Sequence, residues 1–195
     1  MMISKRKIKA FISFNWYWFL IFAFLSFFVF YSIYDLKNQV KYDEKICVFI
    51  EADFVNKEEL SKEMYYFVDQ KVIKEVSIDF SSPTSIHYSL IFNTRGLVNT
   101  DIVIITKDYL QEMYYSKYFA KIDEKFMEEY TYKQMEYCKD EKNDIYGINI
   151  TNKMAKYVNS ESEYYLFFNK KSNKIGSLSS ETINDQAINA ALGLI

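Results

Sequence analysis

The chain has 195 residues, half of them hydrophobic and 19% aromatic, with a formal net charge of −2; that length holds one domain and an appendage. Of its 24 basic residues only Arg6 and Arg95 are arginines, and the scarcity of that planar anion fork argues against nucleic-acid binding. Four basic residues, Lys5, Arg6, Lys7 and Lys9, precede every acid, so residues 35–195 carry a formal charge of −6, a poor match for phosphate backbones or anionic headgroups.

In chain order, residues 1–9 form a basic tail. Ala10 to Tyr34 carries no charge and exceeds the roughly 20 residues that cross a bilayer. It is too long for a signal-peptide core of about 7–15 residues, and no A-x-A site follows it. An uncleaved transmembrane helix over 10–34 is expected, with the lipid bilayer as its partner and a cleaved secretory signal as the alternative. The basic flank places the N-terminus in the cytoplasm and the rest outside the cell membrane. Residues 35–44 read as a short stalk, and 45–195 as the extracytoplasmic domain.

Within that domain, KICVFIE (45–51) and DIVIIT (101–106) are continuous apolar runs, the pattern of strands covered on both faces. Between them, Leu60, Met64, Phe67 and Val68 share a helix face, with Asn56 and Glu59 spaced as a capping box. KEVSIDF (74–80) alternates as a strand. After the Ser81–Ser85 loop, Ile86, Leu90 and Ile91 predict a short helix that Gly96 closes as a left-handed cap. Leu110, Met113 and Tyr114 share a further helix face. Farther on, 123–138 reads as helical with Phe126, Tyr130 and Tyr137 on one side, KDEKND as a turn, and IYGINI and EYYLFFNKK as strands. A last helix carries Ile183, Ala187, Ile188, Ala191, Leu192 and Ile195, with Thr182 and Asp185 as caps. Strand–helix alternation over 45–119 predicts an α/β class fold: a single three-layer domain with a largely parallel sheet.

Ligands of open α/β sheets bind at the carboxyl ends of the strands. The loops there place Asp53, Asn56, Ser81, Ser82, Thr84 and Thr106 as candidate ligand contacts for a small polar solute. The hydroxyls of Ser81–Ser85 stand before a helix, where they either cap it or hold an anion or polyol. Asp108 lies on the same edge. No catalytic residue is assigned: His87 is the only histidine, and G-x-S-x-G, the P-loop and the dinucleotide fingerprint are all missing. No metal ligand set and no cofactor are assigned, since no CxxC and no second histidine exist. Cys47 and Cys138 are expected as two free, separated thiols rather than a disulfide framework. Glu58-Glu59 and Glu128-Glu129 read as solvated acids, Asn149-Ile150-Thr151 as a chance glycosylation sequon, and the tyrosine-rich runs as core and interface.

KICVFIEADFV, VSIDFSSPTSIHYSLIFNTRGLVNTDIVIITKDYLQEM and YYLFFNKKSNKIG, in that order, resemble small membrane-anchored proteins of low-GC Gram-positive bacteria that look like a reduced type 2 periplasmic-binding-protein fold. In that resemblance NTDIVIITKDYL is the third strand and following helix of the first lobe, and YYLFFNKKSNKIGSL the late strand that returns to it. About 60 residues lie between the two, too few for a full second lobe. The resemblance therefore implies one lobe with a small helical or hairpin insert. It implies a non-enzymatic binding or accessory component related to solute-binding proteins, with a small polar solute or a membrane transport component as partner. The alternative is a structural protein that docks a membrane partner and has lost the pocket, through the 123–138 helix or the tyrosine-rich faces.

Overall fold

The computed structural model describes residues 5–110, 115–130, 135–179 and 182–195. Helix α1 (Lys5–Asn38) forms one unit, and a second unit begins at Lys41. From Trp16 to Asn38 this helix is long and apolar enough to cross a membrane, and none of that stretch is buried in the protein. It extends past the expected 10–34 at both ends.

The second unit opens with a 3-10 turn, Tyr42–Glu44, that leads directly into β1 (Lys45–Glu51). There follow α2 (Lys57–Phe67), β2 (Glu75–Ser81), α3 (Tyr88–Ile91), β3 (Ile102–Thr106), α4 (Lys107–Leu110), α5 (Tyr115–Tyr118) and α6 (Glu124–Tyr130). The chain closes with β4 (Tyr137–Lys139), β5 (Ile145–Asn149), α7 (Thr151–Met154), β6 (Tyr164–Phe168) and α8 (Gln186–Ala191). One six-stranded sheet runs in the order β2-β1-β3-β6-β5-β4. β1 pairs in parallel with both β2 and β3, whereas β6, β5 and β4 join antiparallel. The α/β class holds, but the sheet is mixed rather than largely parallel. Parallel neighbours need a long crossover, which the α2 and α3 segments supply. Between β4 and β5 there is only a tight turn. The Asp140 carboxylate accepts from the amides of Lys142 and Asp144 there, and Asn143 takes φ 65°, a conformation its short polar side chain tolerates.

The sheet separates two cores. On the first face lie Ile46, Val48, Ile50, Ile104, Leu166 and Phe168, under Leu60 and Met64 of α2 and Ala187, Ile188 and Ala191 of α8. On the second lie Phe49, Val103, Ile105 and Phe167, under Tyr88, Phe92 and Phe119. β1 and β3 run through the middle of the sheet with both faces covered, which is why their sequences do not alternate. β2, at the edge, leaves Asp79 exposed.

Several sequence expectations need correction. Residues 137–139 form an edge strand, not the end of a helix, because pairing with β5 outweighs the helical spacing of the tyrosines. The buried side chains here are Tyr88 on α3 and Phe92 just after it; Ile86 and Leu90 are 92% and 64% exposed. Gly96 does not take positive φ. It ends a π-helical stretch, Phe92–Gly96, and a Cβ there would stand 2.8 Å from the Phe92 ring and 3.1 Å from Phe49, so it is a packing glycine. Ile183 lies before α8 and is exposed, and the Thr182 hydroxyl bonds the carbonyls of Asn173 and Asn184. Tyr164 and Tyr165 are core residues. Met113 and Tyr114 lie outside the described residues.

Candidate functional site

The carboxyl ends of β1, β2 and β3 bring part of the expected set together. Ser82 donates its hydroxyl to the Asp53 carboxylate. It also meets Thr84 Oγ1 at 2.7 Å and accepts the Thr84 amide at 3.2 Å. The loop is thus a hydroxyl cluster anchored on an acid; Ser85 makes a second bond of the same forward kind by accepting the His87 amide at 3.3 Å, and no side chain caps α3 among the described residues. Ser81 is buried, with its carbonyl taken by the Ala52 amide. Asn56 stands apart from the cluster: it caps α2 by accepting the Glu59 amide at 3.4 Å, and its own amide donates to Glu59 Oε2 at 3.0 Å. His87 is exposed, one residue ahead of α3, and its carbonyl accepts the Ile91 amide.

Thr106 leads to a residue that sequence reasoning passed over. Its amide and its hydroxyl both donate, at 3.0 Å each, to the carboxylate of Glu51. Glu51 closes β1 and shares its face with Phe49, so the side chain turns inward and is buried. No ion pair reaches it among the described residues. Burial pushes its carboxyl above the usual range, the Thr106 bonds oppose that, and the charge of Asp108 adds to it. The Tyr88 ring, stacked on Phe92, brings its hydroxyl beside this carboxylate without adopting hydrogen-bond geometry. Burial, and then the Glu51 charge, push that phenol well above its ordinary range. The signal was a lone acid at the end of an apolar run.

The amino ends of the same strands hold a second buried acid. Asp101 opens β3, and its carboxylate accepts the Cys47 amide at 2.9 Å and the Ser172 hydroxyl at 2.6 Å. It is ion-paired with Lys174 at 3.2 Å, both side chains being sealed from solvent. The Lys174 ammonium sits 4.0 Å from the centre of the Tyr42 ring. Three separate segments, the entrance with β1, the start of β3 and the stretch after β6, therefore meet around one ion pair. Cys47 lies beside it, and burial, followed by the Asp101 charge, pushes its thiol up. Both cysteines are free. They stand on β1 and β4, about four strand spacings of roughly 4.8 Å apart.

A cleft of about 490 Å³ opens at the carboxyl end of the sheet, but beside its antiparallel half, where it is lined by Glu136, Asn149, Thr151, Lys153 and Glu163. Its polar groups largely satisfy one another. Asn149 donates to Glu136 at 3.1 Å and accepts the Thr151 amide at 2.9 Å, while Lys107 pairs with Glu163 at 2.8 Å. The sequon asparagine is thus held at both ends of its amide. Among the described residues no group of three or more His, Cys, Asp or Glu is placed to hold a metal ion. The chain matches no protein-family model, no curated protein and no solved structure.

Proposed function

We propose that this chain is a single-pass, membrane-anchored protein whose acidic α/β unit lies outside the cytoplasm and serves as a non-enzymatic binding or accessory component related to solute-binding proteins. The observation that carries the reading is the carboxyl edge of β1, β2 and β3. There Asp53, Ser82 and Thr84 make an exposed acceptor and hydroxyl cluster, with Glu51 and Thr106 directly behind it in the sheet. The resemblance to a reduced type 2 receptor lobe is supported by the chain's path, since β6 returns late to lie beside β3. The orientation rests on the four basic residues ahead of the apolar helix. N-terminal sequencing of the mature protein separates an anchor from a cleaved signal.

The test of binding is calorimetry on the full chain in detergent micelles, after a thermal-shift screen of sugars, peptides and anions. A ligand of the folded state raises the melting temperature by mass action. With a hit in hand, the double variant Ser82→Ala, Thr84→Ala is expected to weaken binding at least tenfold without unfolding the unit; unchanged binding removes the loop from the site. A second reading, docking of a membrane partner, is favoured by Ile86 and Leu90, one turn apart and uncovered. An empty screen together with loss of a co-purifying membrane protein on Leu90→Ser would support it.

A further inference from the structure

On the second face of the sheet, the helices stop short of β2. What they leave is a cleft of about 290 Å³ lined by Cys47, Ser77, Asp79, Arg95, Asn99 and Tyr42, among others. Its floor is the strand pair itself: Cys47 lies opposite Ser77, and Asp79, two residues on, points from the same face. Its wall is the end of the π-helical stretch and the loop behind it. That wall is braced by its own hydrogen bonds, from the Asn99 amide to the Arg95 carbonyl at 3.2 Å, from Asn99 Nδ2 to the Thr94 carbonyl at 3.3 Å, and from the Thr100 hydroxyl to the Gly96 carbonyl. Gly96 presses the wall against Phe49 in β1, so floor and wall are held at a set distance.

Two groups in this cleft have no such commitment. Arg95 is the only arginine beyond the N-terminal tail, and among the described residues its guanidinium enters no ion pair or side-chain hydrogen bond; neither does the carboxylate of Asp79. The two opposite charges line one cleft from different elements and do not pair with each other. We propose that this cleft binds a small zwitterion of the amino-acid class, its carboxylate on the Arg95 fork and its ammonium on Asp79. The guanidinium presents parallel donors that match a carboxylate, and an aspartate is an acceptor for ammonium protons. A simple anion would meet the repulsion of Asp79, and a simple cation that of Arg95, so the pair selects against both. The volume of about 290 Å³, just below the usual range of ligand sites, suits a small molecule. One face of the Tyr42 ring already holds Lys174, so this aromatic contributes a wall rather than a second cation seat. The inference does not rest on the carboxyl-edge site, which lies on other residues.

The experiment is isothermal titration of the full chain in detergent micelles with the standard free amino acids at about 10 mM, followed by the N-acetyl and the carboxamide derivatives of the tightest binder. The expected result is saturable binding of a free amino acid, weakened at least tenfold in each derivative. Asp79→Asn and Arg95→Gln should each weaken it at least tenfold, with Arg95→Lys intermediate, while the melting temperature of the unliganded protein stays put, both side chains being solvent-exposed. Absence of binding across the set overturns the proposal, as does binding that survives either substitution or either derivative. Should a variant melt early, the two derivatives decide on the parent protein alone. Binding of one of these compounds that is abolished by Ser82→Ala, Thr84→Ala but not by Asp79→Asn would assign it to the carboxyl edge and overturn this site.

Discussion

Two carboxylates are buried at opposite ends of the same three strands, and the sheet treats them differently. Asp101, at the amino end, is matched by an ammonium, a hydroxyl and a backbone amide. Glu51, at the carboxyl end, is matched by one threonine and no cation. A buried charge costs several kcal/mol unless it is paired and hydrogen-bonded. The first acid is a fastening that joins the entrance of the unit to β3 and to the segment after β6. The second is an acid that burial pushes toward its neutral form, with the two Thr106 bonds opposing it from the strand beside it.

The largest effect should come from removing the cation. Lys174→Met leaves Asp101 buried with neutral partners only, and we expect a loss of about 3–5 kcal/mol at pH 8 in denaturant titrations of the full chain. A loss below about 1 kcal/mol would erase the distinction between the two ends.

Next comes Thr106→Val, which strips one hydrogen bond from Glu51 and should cost about 1–3 kcal/mol, measured the same way. Glu51→Gln should act in the opposite direction. Because burial raises the folded carboxyl above its reference of 4.5, this group stabilises the fold at low pH, and that stabilisation is lost as pH rises through the folded value. The variant should therefore gain on the order of 1 kcal/mol at pH 8 and lose that part of the pH slope above 4.5. Glu63, lowered by the Tyr157 hydroxyl and then Lys156, contributes above its own reference and loses that contribution only as pH falls below it, so the two act in separate windows. The smallest effect belongs to Ser82→Ala, within about 0.5 kcal/mol in a melting curve, as befits a largely solvent-facing cluster.

What was legible in the sequence followed from burial on both faces. β1, β3 and β6 announced themselves as uninterrupted apolar runs, and Asn56 as the cap of α2. What was not legible depended on partners far along the chain. Lys174 looks like any other lysine in a lysine-rich sequence, and only the fold places it against Asp101, 73 residues away. Glu51 ended an apolar run and drew no reading of its own, whereas the strand's pleat turns it inward. The helix face proposed for Ile86 and Leu90 was off by two positions, because Phe92 sets its larger ring against Phe49 and Tyr88, one turn before it, stacks on Phe92. Of the expected contacts, Asp53, Ser82 and Thr84 meet, Thr106 reaches Glu51, and Asn56 is spent on its helix.

The place of β6 in the sheet has a consequence for biogenesis. It is the last strand in the chain, yet it lies between β3 and β5, and all five of its residues are buried. Until residues 164–168 have left the ribosome, β3 presents an unpaired apolar edge and β5 has no neighbour on that side. Lys174 arrives later still, so Asp101 waits uncompensated through the same interval. Long-range closure of this kind is slow and leaves a strand open to mispairing. A unit that waits so long for its central strand should depend on folding helpers more than its size suggests.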